Sequence, residues 1–126
     1  MKKIMFCIAL STLLMSCTEE VEPTVQIISP SNLSHLQSGD NVAVVATVDK
    51  AELVNSVSFS LNSDNGGAEY WNSGNSTFDT VIGGKKAFHQ SFVLNTMDTT
   101  TATLAMSLKS TSGATIGKSF TLYLNQ

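Results

Sequence analysis

The chain has 126 residues, with seven lysines, no arginine and ten carboxylates for a net charge of −3, and 42% of its residues are hydrophobic against 13% charged. That composition is globular, and an acidic chain without arginine has little with which to neutralise a run of phosphates. It argues against nucleic-acid binding and against a polybasic contact with membranes.

Lys2 and Lys3 give a charged start, Ile4 to Met15 a mostly apolar stretch, and Leu14-Met15-Ser16-Cys17 closes it. An apolar run this short falls below the about 20 residues that span a bilayer. A basic flank ahead of it and a small residue at the cut site read as a secretory signal, not as a transmembrane anchor or the first helix of a soluble domain. Leu14 to Cys17 resembles the lipobox of bacterial lipoproteins, with leucine three before the cysteine and a small residue just before it. The resemblance implies that residues 1–16 are a cleaved signal peptide and that Cys17 is lipidated, a diacylglycerol on its sulfur and an acyl chain on its amine. Simple secretion is the alternative. Two attachments matter, because a single acyl chain binds membranes only marginally.

Removing residues 1–16 leaves 110 residues (126 minus 16), with five lysines against ten carboxylates and a net charge of −5. Cys7 leaves with the signal and Cys17 is consumed by lipid, so the expected domain has neither a disulfide nor a free thiol. Its stability then rests on an apolar core, for which this length suffices.

Residues 17–23 form the lipidated cysteine and an acidic tether, Thr18-Glu19-Glu20-Val21-Glu22-Pro23, without apolar periodicity and closed by a proline. Six extended residues reach about 20 Å, which keeps the following domain close to the membrane. An acidic run directly after a lipidated cysteine also resembles the export signal of lipoproteins that some Gram-negative gut bacteria carry on the outer face of the outer membrane. The alternative is a solvated linker whose acidity is incidental. The expected location is therefore exported and lipid-anchored, in the outer membrane, with exposure at the cell surface as the finer expectation.

From Thr24 to Gln126 the pattern is that of strands. Thr24 to Ile28 is short and β-branched, Ser29 to Asn32 reads as a turn, and Ser38-Gly39-Asp40-Asn41 as a second one. Val42, Val44, Ala46 and Val48 then share one face of a strand. Ser56 to Leu61 alternates without exception, with Val57, Phe59 and Leu61 on the apolar side. Asn62 to Ser76 is polar and irregular around Tyr70-Trp71, and Thr77 to Ile82 reads as an edge strand before a Gly83-Gly84-Lys85-Lys86 turn. Phe88, Phe92 and Leu94 share a face that Gln90 interrupts; Ala102, Leu104, Met106 and Leu108 share the next. A turn at Gly113 leads to Ile116, Phe120, Leu122 and Leu124, with Lys118 the exception. About seven to eight short strands, with no helical periodicity after the signal, predict an all-β, two-sheet antiparallel sandwich.

Pro23-Thr24-Val25-Gln26-Ile27-Ile28-Ser29-Pro30, then Ser38-Gly39-Asp40-Asn41-Val42, then Val54, Val57 and Phe59 resemble the opening of bacterial immunoglobulin-like domains, and Leu104 to Leu124 around Ser112-Gly113 resembles their last hairpin. The resemblance implies an immunoglobulin-like sandwich over residues 24–126 and serves spacers, adhesins and glycan-binding accessories alike. Two features depart from it: the long polar stretch after Asn62, and the absence of both a tryptophan on the third strand and the disulfide of antibody domains.

Little in the chain points to chemistry. His35, expected in a loop, and His89, expected on an outward strand face, are too few for a zinc site, and no metal or other cofactor is expected. There is no G-x-S-x-G elbow, and Gly83-Gly84-Lys85-Lys86 lacks the spacing of a phosphate loop. Asp64-Asn65-Gly66-Gly67 with Glu69 offers oxygen ligands without the alternation of a calcium loop and reads as a turn. Asp79-Thr80-Val81 and Asp98-Thr99-Thr100 resemble bacterial O-glycosylation sites at Thr80 and Thr99, a match that chance also supplies in a threonine-rich chain.

The candidate ligand-binding residues are Tyr70 and Trp71 with Asn62, Asn65, Asn72 and Asn75, whose rings could stack on a sugar while the amides reach hydroxyls. The competing reading is that one of the rings packs on the core from an irregular edge strand. The expected function is a non-enzymatic interaction or structural module, anchored through lipid on Cys17 and docking an unknown envelope protein through a sheet edge. The alternative is an accessory that binds an extracellular glycan through the Asn62 to Asn75 loop.

Overall fold

The computed structural model describes residues 22–97 and 99–126; the signal peptide, Cys17 and most of the tether lie outside the described residues, as does Asp98. Among the described residues nine strands form two sheets: β1 (Thr24–Ser29), β2 (His35–Gln37), β3 (Asn41–Asp49), β4 (Val54–Ser63), β5 (Glu69–Asn72), β6 (Thr80–Ile82), β7 (Lys85–Val93), β8 (Thr100–Ser110) and β9 (Thr115–Asn125). One sheet has the order β1-β3-β7-β6 and the other β2-β9-β8-β4-β5. Read as A-B-E-D against G-F-C, these are the two sheets of an immunoglobulin sandwich, with β2 added beside β9 and β5 beside β4.

Alternation makes the core. Val42, Val44, Ala46 and Val48 of β3, Val57, Phe59 and Leu61 of β4, and Ala102, Leu104, Met106 and Leu108 of β8 are all buried. At the centre Phe59 stacks on Phe88 with ring centroids 4.4 Å apart, so an aromatic pair joins the sheets where antibody domains use tryptophan and a disulfide.

The sequence-based elements need adjustment at several points. The strands number nine, and β2 pairs with β9 in parallel, so the sandwich is antiparallel except along that margin. His35 belongs to β2 and not to a loop, and it stacks on Tyr123 at 4.8 Å. His-Leu-Gln is too short for its alternation to mark a strand; the pairing with β9 makes it one. Lys85 and Lys86 open β7, which reduces the preceding turn to Gly83 and Gly84, whose φ values of 60° and 83° suit glycine. The edge strand before it is confined to Thr80–Ile82.

The stretch from Asn62 to Ser76 is not a loop. β4 runs to Ser63, a turn follows in which the Ser63 amide donates to the Ala68 carbonyl, and β5 returns alongside β4. Beyond β5 the chain keeps bonding to β4, with Ser73 exchanging with Phe59 and Ser76 with Val57.

Lys118 interrupts the apolar face of β9 for a reason. Its ammonium donates to the Val25 carbonyl of β1 at 2.9 Å, so its stem bridges the margin between the sheets on the side of β9 away from β8, where no described strand pairs with Lys118.

The strand directions define two ends. The near end gathers the start of β1, the short 3-10 turn Ala51–Leu53, and the β6–β7 and β8–β9 turns. The far end gathers β2, the Ser38–Asn41 and Asp64–Ala68 turns and the end of β9.

Candidate functional site

Tyr70 and Trp71 lie on β5, at the margin of the five-stranded sheet. Trp71 pairs with Leu61 and Glu69 with Asn62, so Tyr70 is the extra residue of a bulge. A bulge sets two residues against one and re-aims their side chains. The consequence here is that neighbouring rings, which strict alternation would send to opposite faces, are both half-buried and packed against the core. Trp71 lies flat on Phe92 of the opposite sheet, with centroids 4.9 Å apart and planes 7° from parallel. The Tyr70 hydroxyl accepts from the Thr96 hydroxyl at 3.5 Å.

The four asparagines are exposed and do not converge on the rings. Asn72 pairs with Ser60 on the polar side of β4, its amide nitrogen donating to Glu69 at 2.8 Å and its oxygen accepting from the Gly74 amide at 2.7 Å. The Asn62 amide donates to the Ser60 hydroxyl at 3.2 Å. Asn65 sits in the far-end turn, its backbone amide held by the Ser63 hydroxyl, and Asn75 follows β5. The rings thus face the sandwich interior while Asn62 and Asn72 share the outer face of the sheet.

Asp64-Asn65-Gly66-Gly67 is a turn, in which the Asp64 carboxylate accepts from the Thr103 hydroxyl at 2.6 Å. Among the described residues no three of His, Cys, Asp and Glu cluster as a metal site would require. His89 is exposed on β7, away from His35 on β2. Thr80 is half-buried at the start of β6; Thr99 follows the undescribed Asp98 and precedes β8.

Sequence reasoning missed the near end. A groove of about 620 Å³ opens there, lined by Asp49, Lys50, Glu52, Phe78, Lys85 and Lys86 among others. All five lysines that follow Cys17 fall in the near half: Lys50 after β3, Lys85 and Lys86 opening β7, Lys109 near the end of β8, and Lys118 early in β9. Asp40, Asp64 and Glu69 mark the far end. Net charge conceals this polarity, and the signal that could have found it is the pairing register: Val25, Val48, Lys86 and Val81 form one row across the four-stranded sheet.

The family model described as bacterial Ig domain matches residues 23–116. Among solved structures, the chain is similar to CopC from Methylosinus trichosporium OB3b, at 9% identity and a TM-score of 0.49 over 81% of this chain and 94% of that one. It is also similar to murine CRIg, at 10% identity and a TM-score of 0.44 over 83% of this chain and 98% of that one. No curated protein matches the sequence.

Proposed function

The chain belongs to the bacterial Ig domain family, and from that premise we propose that it is an exported, lipid-anchored, non-enzymatic interaction or structural module with a single Ig-like domain. The observation that carries this reading is the placement of β1. It begins at Thr24, directly after the tether that follows the lipobox, so acyl chains on Cys17 hold the near end of the sandwich at the membrane surface and direct the far end away from it. What the module offers a partner is its margins. Among the described residues no strand pairs with the outer edges of β5 and β6, and an extended segment of an envelope protein adds to such an edge by main-chain bonding.

The glycan-binding reading has less support. Trp71 gives one ring face to Phe92, and the amides of Asn62 and Asn72 lie on the other side of the sheet.

The test is chemical. Mass spectrometry of the mature protein should find acyl mass on an N-terminal Cys17, and Cys17→Ala should move the protein from the membrane fraction to the soluble one. An unmodified N-terminus, or membrane retention of the alanine variant, overturns the anchor. Protease shaving of intact cells then reads the face: loss of the protein supports surface exposure, and protection sinks it.

A further inference from the structure

The β6–β7 hairpin has the composition of a foot for an anionic bilayer. Val81 and Ile82 are 61% and 37% exposed, and across the Gly83-Gly84 turn they pair with Lys86 and Lys85. Apolar side chains next to lysines suit the boundary between acyl chains and headgroups, where the first bury apolar area and the second meet phosphates. The other exposed large apolar residues, Ile28, Leu33, Val93, Met97 and Tyr123, lie toward the far end, where no lysine stands.

Position selects the membrane as the occupant. Val81 and Lys86 share their row with Val25, the second residue of β1, so the hairpin lies about 14 Å across the sheet from the point where the tether joins it. A six-residue tether reaches about 20 Å, which lets the hairpin and the anchor meet one bilayer together. Lys50, on the wall of the same groove, adds a third cation. Asp49 and Glu52 on that groove, Asp79 ahead of β6 and Glu22 in the tether oppose these charges. The contact is therefore weak for a free domain and becomes effective only when the anchor makes it intramolecular.

We propose that the Val81–Lys86 hairpin seats the domain on the anionic surface of the membrane that holds it, with Val81 and Ile82 at the acyl boundary and Lys85, Lys86 and Lys50 on lipid phosphates. The proposal deepens the anchored reading and rests on it for its setting, but its test does not depend on acylation. The chain from residue 17 onward, carrying Cys17→Ser, is held by an N-terminal hexahistidine tag on vesicles containing nickel-chelating lipid. Val81→Cys or Asn65→Cys then supplies the single thiol for an environment-sensitive fluorophore.

On phosphatidylglycerol vesicles the probe at position 81 should brighten and shift to the blue, while the probe at position 65, at the far end, should not. Replacing both Lys85→Gln and Lys86→Gln should lower the ratio of seated to raised domain about 30-fold, about fivefold per lysine. The emission of Trp71, the only tryptophan, checks that each variant is folded. Equal responses at positions 81 and 65, no response at 81, or a response at 81 that is the same on neutral phosphatidylcholine overturns the proposal. The acylation state of Cys17 is measured separately, so failure of the anchor and failure of the foot are distinct results.

Discussion

Among the described residues two aromatic pairs join the sheets of this sandwich, and both use β7. At the centre Phe59 meets Phe88, both fully enclosed; at the margin Trp71 meets Phe92, both half-exposed. Phe88 and Phe92 are four residues apart on one strand face, so the pairs differ in depth rather than in kind. The central pair holds the sheets together; the marginal pair fixes where an edge strand lies. Burial, more than ring chemistry, separates these roles, because the stabilisation scales with the area removed from water.

The comparison can be broken by mutation. Phe59→Ala should have the largest effect, a loss of about 4 kcal/mol from a buried ring and the cavity left behind, read as a lower urea midpoint. Trp71→Ala should cost about half as much, about 2 kcal/mol, since the ring is only partly buried at the margin. Equal losses in the two variants would show that the margin is as integral as the centre. The smallest effect belongs to the other margin, where Lys118→Met keeps the apolar stem and loses one part-buried bond to Val25. There the expected change is about 0.5 kcal/mol, measured by the same unfolding curves.

Depth also explains how much was legible in the sequence. Residues buried between the sheets alternate along β4 and β8, and along β3 except at the buried Thr47, so these inward faces could be read directly. The Pro23 to Pro30 motif and the turn at Gly39 placed the first strands in an immunoglobulin-like order. Long-range pairing decided the rest. β2 is a strand because β9 lies beside it, and Tyr70 turns inward because a bulge opposite Leu61 breaks the alternation. Lys118 interrupts an apolar face because a carbonyl on another strand awaits it. For the candidate site, the sequence supplied the residue types, aromatics among amides, but not their separation to opposite sides of β5. The gathering of the lysines at one end was invisible for the same reason: registers, not neighbours along the chain, bring Lys50, Lys86 and Lys118 to the same half.

The opposed placement of Thr24 and Asn125, one at each end of the sandwich, has a mechanical consequence. A pull applied between these two points runs along the strands. Antiparallel ladder bonds lie perpendicular to the strands, so such a load shears the β1–β3 ladder from Thr24 to Ser29 across all its bonds at once instead of peeling them singly. The Lys118 bond to Val25 ties β1 to the second sheet near the point where that load arrives. Tension along the sandwich therefore meets the whole β1–β3 ladder together, whereas tension across the sheet would open it bond by bond.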